Sequence, residues 1–137
     1  MADINEKSYV SRLNQEIDAQ EVCDCFICQL STNDASKNLP LGTISESSDK
    51  NDFDTQTIIG TIEYIVAKVR EKWDCPIMFY TGTFMDSELY QSMVDSLIEI
   101  SEKWNFKIID LWNDSEMRAY QFFIYSYEKE HPISTSK

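Results

Sequence analysis

Residues 21–34, EVCDCFICQLSTND, constrain this chain more than any other stretch. An apolar run, Cys25-Phe26-Ile27-Cys28-Gln29-Leu30, delivers a polar turn, Ser31-Thr32-Asn33-Asp34. A strand buried between helix layers reads as such a run, and the first polar residues past its carboxyl end face the crevice where α/β sheets bind ligands. The stretch therefore predicts an α/β sheet with a site at residues 31–34. As turn formers, Asn and Asp also fit a plain loop at that position.

The rest of the chain repeats the strand–helix alternation twice. Ile58, Ile62, Ile65, Val66, Val69 and Trp73 form one apolar stripe, predicting a helix over 55–73 capped by Asp54 or Thr55. Asp74-Cys75-Pro76 stops it, and 76–80 reads as a short buried strand that turns at Thr81-Gly82-Thr83. Asp86 or Ser87 caps a second helix over 87–104, with the stripe Tyr90, Met93, Val94, Leu97, Ile98 and Trp104. Asn105 breaks it, and 106–111, FKIIDL, makes a third strand. Each crossover is long enough for a right-handed β-α-β connection. A weaker stripe, Tyr9, Val10, Leu13 and Ile17, predicts a helix over 7–17, and the aromatic-rich 117–127 is read as helical. Residues 35–54 have no sustained period. A loop of this length is uncommon unless functional, so it is either a substrate-facing lid or a solvated excursion. The predicted fold is one α/β domain with three parallel strands and flanking helices.

A net charge of −12, from 24 acidic and 12 basic residues, leaves no basic patch to neutralise phosphates, which argues against nucleic acid and anionic membranes as partners. No apolar run approaches the roughly 18–20 residues that cross a bilayer, and residues 1–7 lack a secretory apolar core. Cys23, Cys25 and Cys28 invite a metal reading. Strand alternation, however, points Cys28 away from the other two, and no second Cys/His pair supplies ligands. Buried thiols in a reducing, cytoplasmic compartment are the better reading, and no cofactor or metal is expected.

The order of strand, STND, loop, helix, strand, helix, IIDLW and EKEHP resembles the carboxyl-terminal part of the SGNH (GDSL-type) serine hydrolases, esterases and lipases of flavodoxin-like fold. The resemblance runs from about residue 8 to 137. Ser31-Thr32-Asn33-Asp34 stands where that family has Gly-x-Asn-Asp, with Ser31 replacing the glycine. Glu128-Lys129-Glu130-His131-Pro132 stands where it has Asp-x-x-His, with Glu128 replacing the aspartate. The resemblance implies ester hydrolysis through an acyl-enzyme, with a small-molecule ester as substrate. Asn33 would donate to the oxyanion, His131 would be the general base and Glu128 would orient it. Thr32 and Asp34 would bind substrate.

No Gly-Asp-Ser occurs in the chain, and none of Gly42, Gly60 and Gly82 is followed by Asp-Ser, so the nucleophile of that family has no counterpart here. The resemblance thus describes an incomplete flavodoxin-like three-layer sandwich. Its first two strands are expected to be missing, and its 25–30 strand to lie at an edge that an amino-terminal piece or a second copy should cover. Negligible esterase activity is expected of this chain alone. The alternative is a non-catalytic binding or assembly module.

Overall fold

Three short parallel strands carry the fold. In the computed structural model, which describes residues 1–2, 8–19 and 22–132, they are β1 (Phe26–Gln29), β2 (Ile77–Tyr80) and β3 (Lys107–Ile109). They pair in the order β1-β2-β3, with Phe26 opposite Ile77 and Met78 opposite Lys107. Hydrogen bonds from Leu30 N to Tyr80 O (2.8 Å) and from Thr81 N to Ile109 O (3.0 Å) extend the ladders past the strand ends. The helices are α1 (Tyr9–Ala19), α2 (Asn33–Ser36), α3 (Ile58–Lys72), α4 (Glu88–Trp104) and α5 (Ser115–Glu130). Lys7, the first residue of the expected 7–17 helix, and residues 133–137 of the tail lie outside the described residues.

The stripe of α3 is the core. Ile58, Ile62, Ile65, Val66 and Val69 are fully buried. Its cap is Thr57, not Asp54 or Thr55: Thr57 Oγ1 accepts from Gly60 N at 3.1 Å. Asp54 instead closes the preceding turn, its carbonyl accepting from Thr57 N at 3.0 Å. That turn presses against the helix so closely that a Cβ on Gly60 would lie 2.0 Å from the Asp54 carbonyl oxygen. Ser87 caps α4 as expected, and Asn105 ends it in the left-handed conformation at φ 54°. Ile100, not Ile98, completes the α4 stripe: Ile100 is buried and Ile98 is 37% exposed, one step round the helix from the line Met93–Leu97–Ile100.

α1, α3 and α4 lie over one face of the sheet. Cys28, Ile77 and Phe79 point into that layer and are buried, and Asn14 of α1 accepts from the Tyr64 hydroxyl of α3 at 3.1 Å. Alternate residues face the other way, where Ile27 is 59% and Ile109 48% exposed. No described helix covers this face. α5 contributes no buried residue, and its Phe122, Phe123 and Tyr125 stand in solvent. Of the two helical layers of a flavodoxin-like sandwich, the described residues fill one.

Residues 35–54 are tied down. The backbone runs beside the start of α3, with Ile58 N donating to Pro40 O and Ile59 N to Leu41 O, both at 2.9 Å. A buried ion pair fixes the second half. Glu63 of α3, wholly buried, accepts from Lys103 of α4, from Ser45 N (3.0 Å) and from Trp104 Nε1 (3.2 Å). Lys103 also donates to the carbonyls of Ser45 (2.6 Å) and Ser47 (2.7 Å). Of this segment only Ser36 reaches the cleft described next, so the remainder is a strap across α3 and α4 and not a lid.

Candidate active site

The carboxyl ends of the three strands meet around an open cleft of about 450 Å³, the size of a small-ligand site. Gln29 of β1, Tyr80 and Thr81 of β2, and Leu111 beyond β3 line it, with Phe84 and Met85 along one wall. The strand ends are held in place from α4. The buried Tyr90 hydroxyl donates to Leu30 O at 2.9 Å and accepts from Gly82 N at 2.7 Å, bridging the ends of β1 and β2. Burial pushes the Tyr90 phenol above its usual range, so it stays protonated and keeps both bonds. Gly82 is where the three parts come closest: a Cβ there would lie 3.3 Å from both Thr32 Cγ2 and the Tyr90 hydroxyl.

Trp112 packs behind Phe84, one of the residues that line the cleft. It is 1% exposed, with its ring centroid 4.9 Å from those of Tyr90 and Phe84. Its indole N–H donates to Gln91 Oε1 at 2.7 Å, and its backbone N–H to Thr81 Oγ1 at 2.9 Å. Arg118, in the first turn of α5, donates from Nε to the Trp112 carbonyl at 2.9 Å and lies over the Phe84 ring at 4.2 Å.

The sequence-predicted site residues fall into two groups. Thr32 lines the cleft. Asn33 begins α2 one residue on; it is exposed, its backbone N–H donates to Ser31 Oγ at 3.1 Å, and its side-chain amide makes no hydrogen bond among the described residues. Asp34 turns inward. It is 2% exposed, and its carboxylate accepts from the Met1 amino group at 2.6 Å and from Ala2 N at 3.1 Å. Glu128 and His131 are elsewhere. Glu128 lies exposed in the last turn of α5, and His131 follows that helix, also exposed. His131 Nδ1 contacts the Tyr127 carbonyl at 3.1 Å, and its ring stacks on Tyr127 with centroids 4.3 Å apart. Among the described residues, no hydrogen bond joins His131 to Glu128 or to Asn33, and neither His131 nor Glu128 lines the cleft. No group of three or more His, Cys, Asp or Glu among the described residues is arranged to hold a metal ion.

The parts that sequence reasoning missed are the ones that shape the cleft. Tyr90 reads only as one more apolar position of the α4 stripe; nothing local announces that its hydroxyl reaches two strand ends. Trp112 is packing, but its partners, Tyr90 of α4 and Thr81 past the end of β2, are ones no local pattern announces.

No protein-family profile matches this sequence, and no curated protein sequence does so. Among solved structures, the chain is similar to a protein from Bacteroides ovatus ATCC 8483 described, by resemblance, as a GDSL-like lipase, with a TM-score of 0.61 at 17% sequence identity. The match takes in 90% of this chain and spans 61% of the length of that one. At this identity the likeness speaks for architecture: the chain is an α/β domain of three parallel strands that shares, distantly, the GDSL-like fold.

Proposed function

We propose that this chain is the carboxyl-terminal portion of an SGNH-type ester hydrolase, supplying the strand-end cleft and the amide of Asn33 but no serine nucleophile. The observation that carries the reading is the cleft itself. It opens at the carboxyl ends of parallel strands and is lined by Thr32, beside an Asn33 amide with no partner among the described residues, in a GDSL-like fold. An unengaged amide at a strand end is suited to stabilise a developing oxyanion, a contribution of about 2.7–4 kcal/mol. His131 supports the proposal by its place in the sequence motif; in this structure it stands at the end of α5, outside the cleft. A base that reaches a serine there requires α5 to pack differently once the missing portion is present.

The expected result with p-nitrophenyl acetate is turnover no faster than a histidine-containing control peptide. Turnover well above that control, abolished in His131→Ala and retained in Ser31→Ala, would show that a nucleophile is present after all and would sink the proposal.

A second reading, a non-catalytic assembly module, is favoured by the uncovered sheet face and by the exposed aromatic side of α5. A contiguous exposed apolar patch can mark an interaction surface, and Ile27, Ile109 and the α5 aromatics are exposed. We place on it an amino-terminal piece of the same fold, which would also pair with the free edge of β1. Without that piece, sedimentation velocity at micromolar concentration is expected to show self-association. A monodisperse monomer with a single cooperative melt would argue against this reading.

A further inference from the structure

We propose that Cys23 and Cys75 form an oxidisable pair, and that a low-molecular-weight disulfide converts them into a covalent staple between the edge strand β1 and its neighbour β2. The two sulfurs lie 3.9 Å apart, the Cys75 thiol directed at Cys23 Sγ. They belong to segments that enter adjacent parallel strands side by side: Phe26 N donates to Pro76 O at 2.9 Å, and Phe26 pairs with Ile77. Closing the sulfur separation to the roughly 2 Å of a disulfide is within reach of side-chain rotation. Of the four cysteines, all free thiols, this pair alone is in sulfur–sulfur contact.

The surroundings assign the order of events. Cys23 is half-buried, and its thiol donates to Cys25 O at 3.4 Å. Cys75 is 6% exposed; burial and then its contact with Cys23 push its thiol up, so it is the poorer first nucleophile. The Cys23 thiolate attacks one sulfur of the small disulfide, forming a mixed disulfide and releasing one thiolate. Cys75 then loses its proton to solvent and attacks the Cys23 sulfur, releasing the second thiolate. Two protein thiols are oxidised, and one disulfide is reduced to two thiols. Cys28 stays out of this chemistry: it is buried on the core side of β1, where burial holds its thiol at about 11. Cys25 is exposed and free to be alkylated.

The staple acts where the fold is weakest. β1 is an edge strand with one bare face, and a cross-link at its entry keeps it on β2 when the rest of the edge frays. Because the bond closes a loop of about fifty residues, it restricts the unfolded chain substantially. The test is incubation of the full chain with oxidised glutathione, followed by non-reducing peptide mapping with fragmentation and by thermal melting. A Cys23–Cys75 link should form in wild type and in Cys25→Ser, should be absent in Cys23→Ser and Cys75→Ser, and should raise the melting temperature by roughly 5–10 °C, reversed by dithiothreitol. If Cys75→Ser does not fold, the half-exposed Cys23→Ser carries the comparison. A pair that stays fully alkylatable, a disulfide through Cys25 instead, or a link without a higher melting temperature would each overturn the proposal.

Discussion

Trp112→Ala is expected to cost about 4 kcal/mol in urea unfolding and to loosen Phe84 in the wall of the strand-end cleft. Truncating a buried tryptophan costs about 3–5 kcal/mol, because the transfer energy of the ring is lost and a void remains. Here the ring is also the surface on which Tyr90 and Phe84 lean, each with a centroid 4.9 Å away, and Gln91 loses the indole N–H at 2.7 Å. The backbone bonds of residue 112 to Thr81 and Arg118 survive the substitution, so the loss reports the ring and not the chain path. Trp112→Phe should retain most of the packing and lose only about 1–2 kcal/mol. An alanine variant within about 1 kcal/mol of wild type would mean that Tyr90 and Phe84 close the void without it, and that Phe84 is not held by this ring.

The second large effect concerns the strap. Lys103→Ala should destabilise the chain by about 3 kcal/mol and make residues 45–54 an early site of proteolysis. Glu63 has no exposed surface, and Lys103 is its one cationic partner among the described residues; removing one side of a buried pair strands the other charge, at about 3–5 kcal/mol. The lower end applies because the lysine side chain is 21% exposed. The same ammonium group holds the Ser45 and Ser47 carbonyls and lies 5.3 Å from the ring centres of Phe53 and Trp104. Its loss therefore frees the strap as well as the carboxylate. Glu63→Gln combined with Lys103→Met should recover a good part of the stability without restoring protease resistance. If Lys103→Ala alone leaves both unchanged, the strap is held by its apolar contacts.

These two residues also mark the limit of what the sequence conveys. The α3 and α4 helices are legible because their apolar residues recur at helical spacing and nearly all of them are buried. The three strands are legible because parallel strands buried by crossovers read as apolar runs ending in polar turns. Ser31–Asp34 could be placed at a strand end for that reason, and Thr32 does line the cleft. Local pattern fails where the partner is remote. Glu63 lies beside Ile62 in the sequence, but its cation comes from forty positions away on α4. The cap of α3 slipped to Thr57 because the turn at Asp54 is set by contact with Gly60, which no propensity reports. The tail was legible as a helix but not in its packing. α5 contributes no buried residue, and no described helix covers the second face of the sheet.

The topology has a consequence during synthesis. Both strand pairings are parallel, so each waits for an entire crossover, and Phe26 meets its partner only when a residue about fifty positions later becomes available. At translation rates of roughly 5–20 residues per second, β1 leaves the ribosome seconds before β2 can receive it. In that interval β1 has no β2 to pair with, so this pairing forms only after the whole of α3 has been made.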